Sequence, residues 1–146
     1  MRRFTFTLEA ALRQREALEE AARKELALAL RAQVDCEDRL IAKSAEIDSA
    51  LVVHPGVSLT ASRLIDNRRW VETLRREQGA LFHELGHHQQ RVLQRQSELA
   101  TAARDREALT RLRRKRHEEW LRQGLAAEQA VIDEVALGVV RRHQHA

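Results

Sequence analysis

The sequence predicts an all-α fold: an antiparallel two-helix coiled-coil hairpin with an extended C-terminal helix. Three observations lead there. Ala, Leu, Glu, Lys and Arg supply 84 of the 146 residues, a composition typical of long helices and coiled coils. There is one proline, five glycines scattered singly and no tyrosine, so the β-branched and aromatic runs and frequent turn signals of a β-sandwich or barrel are missing. Apolar residues recur at alternating steps of about four and three along two long stretches, the period of a seam between helices. With 33% charged residues and few bulky apolar groups, the chain can line a narrow seam but cannot fill a wide globular core. Residues 1–146 therefore read as a single coiled-coil domain.

The first helix is expected over about residues 7–53. Its seam passes through Leu8, Leu12, Arg15, Glu19, Ala22, Leu26, Ala29, Gln33, Cys36, Leu40, Ser44, Ile47 and Leu51. Most of these are apolar and the rest are polar flaws in the seam. Thr7 is the expected N-cap, with Glu9 in the first turn, and the helix would span roughly 70 Å. A turn at 54–60 follows, where His54-Pro55-Gly56 breaks the helix and Ser58 and Thr60 offer caps for the next one. So short a link makes the second helix an antiparallel neighbour of the first.

Helix 2 is expected over about residues 61–142. Its seam runs through Leu64, Val71, Leu74, Leu81, Leu85, Val92, Leu99, Ala102 and Leu109, interrupted by Asn67, Gln78, His88 and Arg106. Unbroken, it would reach roughly 120 Å, so its last turns extend past the start of helix 1 as a single solvated helix. Trp120 lies on that overhang. Gly79, Gly86, Gly124 and Gly138 weaken the helix by about 1 kcal/mol each relative to Ala without ending it.

The net charge is +4, and the basic excess lies after Gly56. This suggests an acidic protein surface, a nucleic acid or an anionic membrane face as partner. Cys36 is the only cysteine, so no internal disulfide forms; its place in the seam suggests a small buried hydrophobe in a reducing compartment. Glu9 and Arg13 interrupt any apolar run near the start, and nowhere do 18 apolar residues run together. Neither a signal peptide nor a membrane span is expected.

His83-Glu84-Leu85-Gly86-His87 is a literal H-E-x-x-H. On a helix this spacing sets two imidazoles on one face for Zn²⁺, with Glu84 as the general base of a hydrolase. A zinc hydrolase also needs a third ligand and a walled cleft, which a two-helix hairpin does not supply. Leu81 and Leu85 occupy the seam, so His83, Glu84 and His87 read as a solvated face and no metal site is assigned. Adventitious Zn²⁺ or Ni²⁺ on His83, His87 and His88 is the alternative. No phosphate-binding glycine loop is present, and no nucleophile stands beside a base, so no cofactor, small-molecule substrate or catalytic residue is assigned.

The densest basic run, Arg111 to His117, spreads around the helix and has no aromatic platform or groove-docking motif beside it. That favours protein docking over nucleic-acid binding. Trp70 and Leu74 lie four apart on one helix stripe beside the turn. A large aromatic fits poorly in a Leu/Ala seam, and exposed Trp is enriched in interface hot spots.

Together these features resemble the FliJ family, small coiled-coil components of flagellar and related type III export systems. The resemblance is carried by Phe4-x-Phe6-x-x-x-Ala10-Ala11-Leu12 with Arg15-Glu16, by the mid-chain break, and by Trp70-x-x-x-Leu74. It continues in Leu112-Arg113-x-x-Arg116-x-Glu118-Glu119-Trp120 and in Glu128-Gln129-x-x-x-Asp133-Glu134-x-Ala136. It implies a non-enzymatic stalk, similar to the central stalk of rotary ATPases, that docks into the export ATPase hexamer and promotes its assembly and activity. Contact with the cytoplasmic domain of the export gate is implied through Trp70 and Leu74, together with handling of empty export chaperones. Arg113, Arg116, Glu119, Trp120, Asp133 and Glu134 are the expected ATPase contacts, and the implied location is cytoplasmic, peripheral at the inner membrane. A basic nucleic-acid-binding coiled coil, a generic adaptor and a homodimeric coiled coil are the alternatives, with an H-E-x-x-H zinc hydrolase behind them.

Overall fold

The computed structural model describes residues 3–52, 56 and 58–144. Val53, His54, Pro55 and Val57, on which the expected end of helix 1 and the proline break fall, lie outside the described residues. Among the described residues there are two helices, α1 (Glu9–Leu51) and α2 (Ala61–Gln144), packed against each other as an all-α hairpin.

At the start of α1, the Glu9 N–H donates to the Phe6 carbonyl at 3.1 Å and the Leu12 N–H to the Leu8 carbonyl at 2.9 Å. Helical bonding thus begins at the Leu8 carbonyl, which makes Leu8 the N-cap and leaves Thr7 one residue ahead of it. Glu9 sits in the first turn, where its charge complements the helix dipole. Before α2, Gly56 has φ +95°, a left-handed conformation that a Cβ disfavours. Thr60 caps α2: its Oγ1 accepts from the Arg63 N–H at 3.3 Å and its carbonyl from Leu64 at 3.1 Å.

Contacts divide the chain into two units, residues 20–101 and residues 1–19 with 102–146. In the 20–101 unit the core is Ala29, Cys36, Leu40 and Ile47 of α1 against Val71, Leu74 and Val92 of α2. Half-buried Ala22, Leu26, Gln33 and Ser44 on one side and Gln78, Leu81, Leu85, His88 and Leu99 on the other complete the three–four alternation. Polar groups tie the helices together: Asn67 Nδ2 donates to the Ala50 carbonyl at 3.0 Å, Gln78 Nε2 to Ser44 Oγ at 3.1 Å, and Lys43 pairs with Glu77 at 2.8 Å. Arg95 approaches Glu25 at 3.6 Å. Later residues of α1 meet earlier residues of α2, so the pairing is antiparallel.

The expected seam overreaches at this end. Leu64 is 51% exposed and Leu51 52%, and every residue from Ala61 to Trp70 is exposed. The apolar period persists in sequence, but α1 ends at Leu51, and Leu64 lies before Asn67, which meets the α1 end at the Ala50 carbonyl.

In the other unit, Leu12 is buried and Glu19, at 4% exposure, is a buried charge. Arg106 Nε donates to Glu19 Oε2 at 2.6 Å, a charge-assisted bond that raises the Arg106 pKa above its usual value. Arg15 reaches Asp105 at 3.2 Å, and Arg113 reaches Glu9 at 3.5 Å. Removing Glu19 takes the short bond from half-buried Arg106 and leaves it the looser 4.0 Å approach to Glu107, whereas replacing both with apolar groups is close to neutral. Glu19→Ala is therefore expected to lower the thermal midpoint markedly more than Asp105→Ala, and Glu19→Leu/Arg106→Leu to recover most of the loss. Circular-dichroism melts test this, and equal melts for the Glu19 and Asp105 variants would contradict it.

Candidate functional site

The expected Trp70/Leu74 pair splits between surface and core. Leu74 is 0% exposed and belongs to the seam, while Trp70 is 53% exposed. Four residues of helix advance the chain by about 400° of rotation, so the two side chains are offset by about 40°; at a two-helix seam that offset separates an enclosed side chain from an outward one. Trp70 borders a shallow groove whose floor is made of small α1 residues, Ala42, Ala45, Ser49 and Ala50, with Glu46 and Asn67 at its edge. Its ring is presented beside a flat, low-relief surface that a partner's side chains could cover.

Near the first turn of α1, an aromatic cluster joins the N-terminal segment to α2. The rings of Phe4 and His117 lie 5.0 Å apart edge-on, Phe4 and Trp120 5.9 Å, and His117 and Trp120 5.9 Å in stacked orientation. This corrects the reading of Trp120 as bare overhang: the non-helical stretch before α1, which has no periodicity to reveal it, folds over the indole and leaves it half-buried. Residues 3–7, with Arg116, Glu119, Trp120 and Gln123, line an open cleft here.

The ionic residues expected to contact the ATPase differ in how they are engaged. Arg113 pairs with Glu9, and Arg116 with Glu119 at 3.8 Å. Asp133 accepts from Gln129 at 2.9 Å, and Glu134 is exposed. Arg111 pairs with Glu107 at 3.5 Å, so much of the densest basic run is matched by carboxylates on the chain itself, which weakens the nucleic-acid reading. From Leu125 to Leu137 every residue of α2 is exposed, including Val131, Ile132 and Val135. An apolar-bearing helix that none of the described residues covers gains no packing stabilisation of its own and is suited to a partner.

The H-E-x-x-H stretch divides into two stripes. His83 and His87 are exposed, with their Nε2 atoms 3.2 Å apart. Glu84 turns toward α1, where Arg39 Nη2 donates to its Oε1, and His88 Nε2 lies 3.4 Å from the same oxygen. The bond from Arg39, with that from His88 behind it, holds the Glu84 carboxyl below the usual carboxylate range. A carboxylate so engaged is a poor base for activating water, which argues against hydrolase chemistry at this motif. Sequence reasoning missed a different grouping: Cys36, Glu84 and His88 bring one potential ligand atom each to within 4.8 Å of one another. Nothing local signals it, because it depends on which α1 residue faces Glu84.

A family model described as flagellar FliJ protein matches residues 4–145. The chain belongs to the flagellar FliJ protein family. Comparison with curated proteins and with solved structures gives no significant match. As a FliJ-family chain it is a flagellar export-related coiled-coil protein, in a family of non-enzymatic export components that act with the flagellar export machinery. No helix among the described residues is long and apolar enough to cross a membrane.

Proposed function

We propose that this chain is the stalk of the flagellar export apparatus: it docks on the export ATPase ring, promotes ring assembly and ATP turnover, and links the ring to the export gate and to chaperones. It does so without chemistry of its own, in the cytoplasm at the periphery of the inner membrane. The observation that carries the reading is the family match over residues 4–145, which spans both helices and their uncovered surfaces. The exposed α2 segment bearing Asp133 and Glu134 is the proposed ATPase contact, together with the cleft formed by Arg113, Arg116, Glu119 and Trp120. Trp70 on its groove is the proposed gate contact, with Leu74 as the seam residue that holds Trp70 in place. A stalk that binds one conformation of ring subunits better than another shifts their equilibrium, and so raises turnover without touching nucleotide.

The test is the ATP hydrolysis rate of the cognate export ATPase with and without the chain. Stimulation is expected for the wild type, with the concentration needed for half-maximal effect rising roughly tenfold in Asp133→Lys/Glu134→Lys, the loss of about 1.4 kcal/mol of contact energy. An active ATPase that neither binds nor responds to the wild-type chain would remove the stalk reading.

A further inference from the structure

Cys36 on α1 and Glu84 and His88 on α2 converge within the 20–101 unit. Their ligand atoms, a sulfur, a carboxylate oxygen and an imidazole nitrogen, all lie within 4.8 Å of one another. We propose that these three side chains form an interhelical site for a zinc-class divalent cation, with water completing a four-coordinate shell. The proposal is independent of the stalk reading.

The chemistry of the donors favours zinc. A thiolate with an imidazole suits a borderline-soft d-block ion, and a single carboxylate supplies the remaining anionic ligand; magnesium and calcium call for oxygen-rich shells. In tetrahedral zinc, donor atoms stand about 3.3–3.7 Å apart, given bond lengths of about 2.0–2.3 Å. Closing from the present separation falls on Glu84 and His88, which are half-buried, while Cys36 is enclosed in the core. The Cys36 thiol now donates to the Leu81 carbonyl at 3.6 Å; on binding, its proton passes to solvent and the thiolate takes the metal, while His88 binds as the neutral tautomer whose proton sits on the other ring nitrogen. Arg39, already on the Glu84 carboxylate, orients that ligand from the other helix.

The ligands come from both helices, so the ion cross-links α1 to α2. With Glu84 taken up as a ligand it is not free to act as a general base, and the effect the geometry assigns to the ion is to clamp the two helices. The two histidines of the H-E-x-x-H pattern take no part. Their exposed pair on one helix is the competing site, and it would hold metal through two nitrogens without joining the helices.

The experiment uses the full chain under reducing conditions, with Zn²⁺ delivered against a chromophoric chelator and Co²⁺ as the spectroscopic probe. Expected for the wild type are one ion per chain, a thiolate-to-cobalt charge-transfer band, and a thermal midpoint raised by about 5 °C or more at a hundredfold excess over Kd. Cys36→Ser and His88→Ala should each abolish the band and weaken Zn²⁺ binding by roughly tenfold or more, while His83→Ala/His87→Ala leaves both unchanged. His88 is partly exposed, so its variant folds even if the core substitution does not. No binding by the wild type, binding without the charge-transfer band, or binding lost only in the His83/His87 variant would each overturn the proposal.

Discussion

Leu74→Ala is expected to destabilise the hairpin by about 2–4 kcal/mol, a range set by the lost transfer energy of the side chain and the cavity left behind. Leu74 is one of the two largest side chains with essentially no exposure, and the other is Cys36. A two-helix seam has a single layer of such residues, so no second shell can collapse into the gap, and the cost should fall in the upper part of that range. Against a total stability of about 5–15 kcal/mol, this is a large fraction. In circular-dichroism melts the midpoint should drop by roughly 5–10 °C. A variant that melts with the wild type would show that the seam does not depend on this residue.

Trp70→Ala is expected to do the reverse. With about half of its surface in water, Trp70 contributes little to folding, and its loss should leave the melt within about 1 kcal/mol of wild type. If the groove beside it receives the cytoplasmic domain of the export gate, removing a central aromatic anchor should cost about 2 kcal/mol of binding, roughly a thirtyfold rise in Kd. Calorimetric titration of the gate domain into each variant, at a temperature where Leu74→Ala is still folded, separates the two roles. Wild-type affinity in Trp70→Ala would remove the gate contact from this face. Loss of binding in a combined Trp70/Leu74 variant is uninformative by comparison, because it mixes a missing contact with a loosened hairpin.

The hairpin was legible because a two-helix seam imposes one period on the chain, and that period survives polar flaws. Val71, Leu74, Gln78, Leu81, Leu85, His88 and Val92 step along α2 as the pattern requires. The pattern could not show where covering stops. Leu51 and Leu64 keep the period where the seam no longer encloses side chains: Leu51 is the last residue of α1, and Leu64 lies before Asn67, which meets Ala50. The cover over Trp120 is hidden from the pattern for the opposite reason: the residues that supply it, around Phe4, are not helical and carry no periodic signal. For Leu74 the family likeness points to docking while its own spacing points to the seam, and its full burial follows the spacing. The Cys36–Glu84–His88 grouping joins residues far apart in sequence. It depends on how far one helix is slid along the other, which the composition of a short link does not state.

That sliding is set by the polar flaws. A seam of Leu, Ala and Val repeats every seven residues, so displacing one helix by a heptad would again lay apolar on apolar at little cost in buried area. The paired polar residues remove that degeneracy. Displacement would set Ser44 against Leu85 or Val71 instead of Gln78, and would leave the enclosed carboxylate of Glu19 without Arg106. Ser44–Gln78 in one unit and Glu19–Arg106 in the other thus act as register keys, each costing some stability and each selecting a single alignment from several near-equal ones.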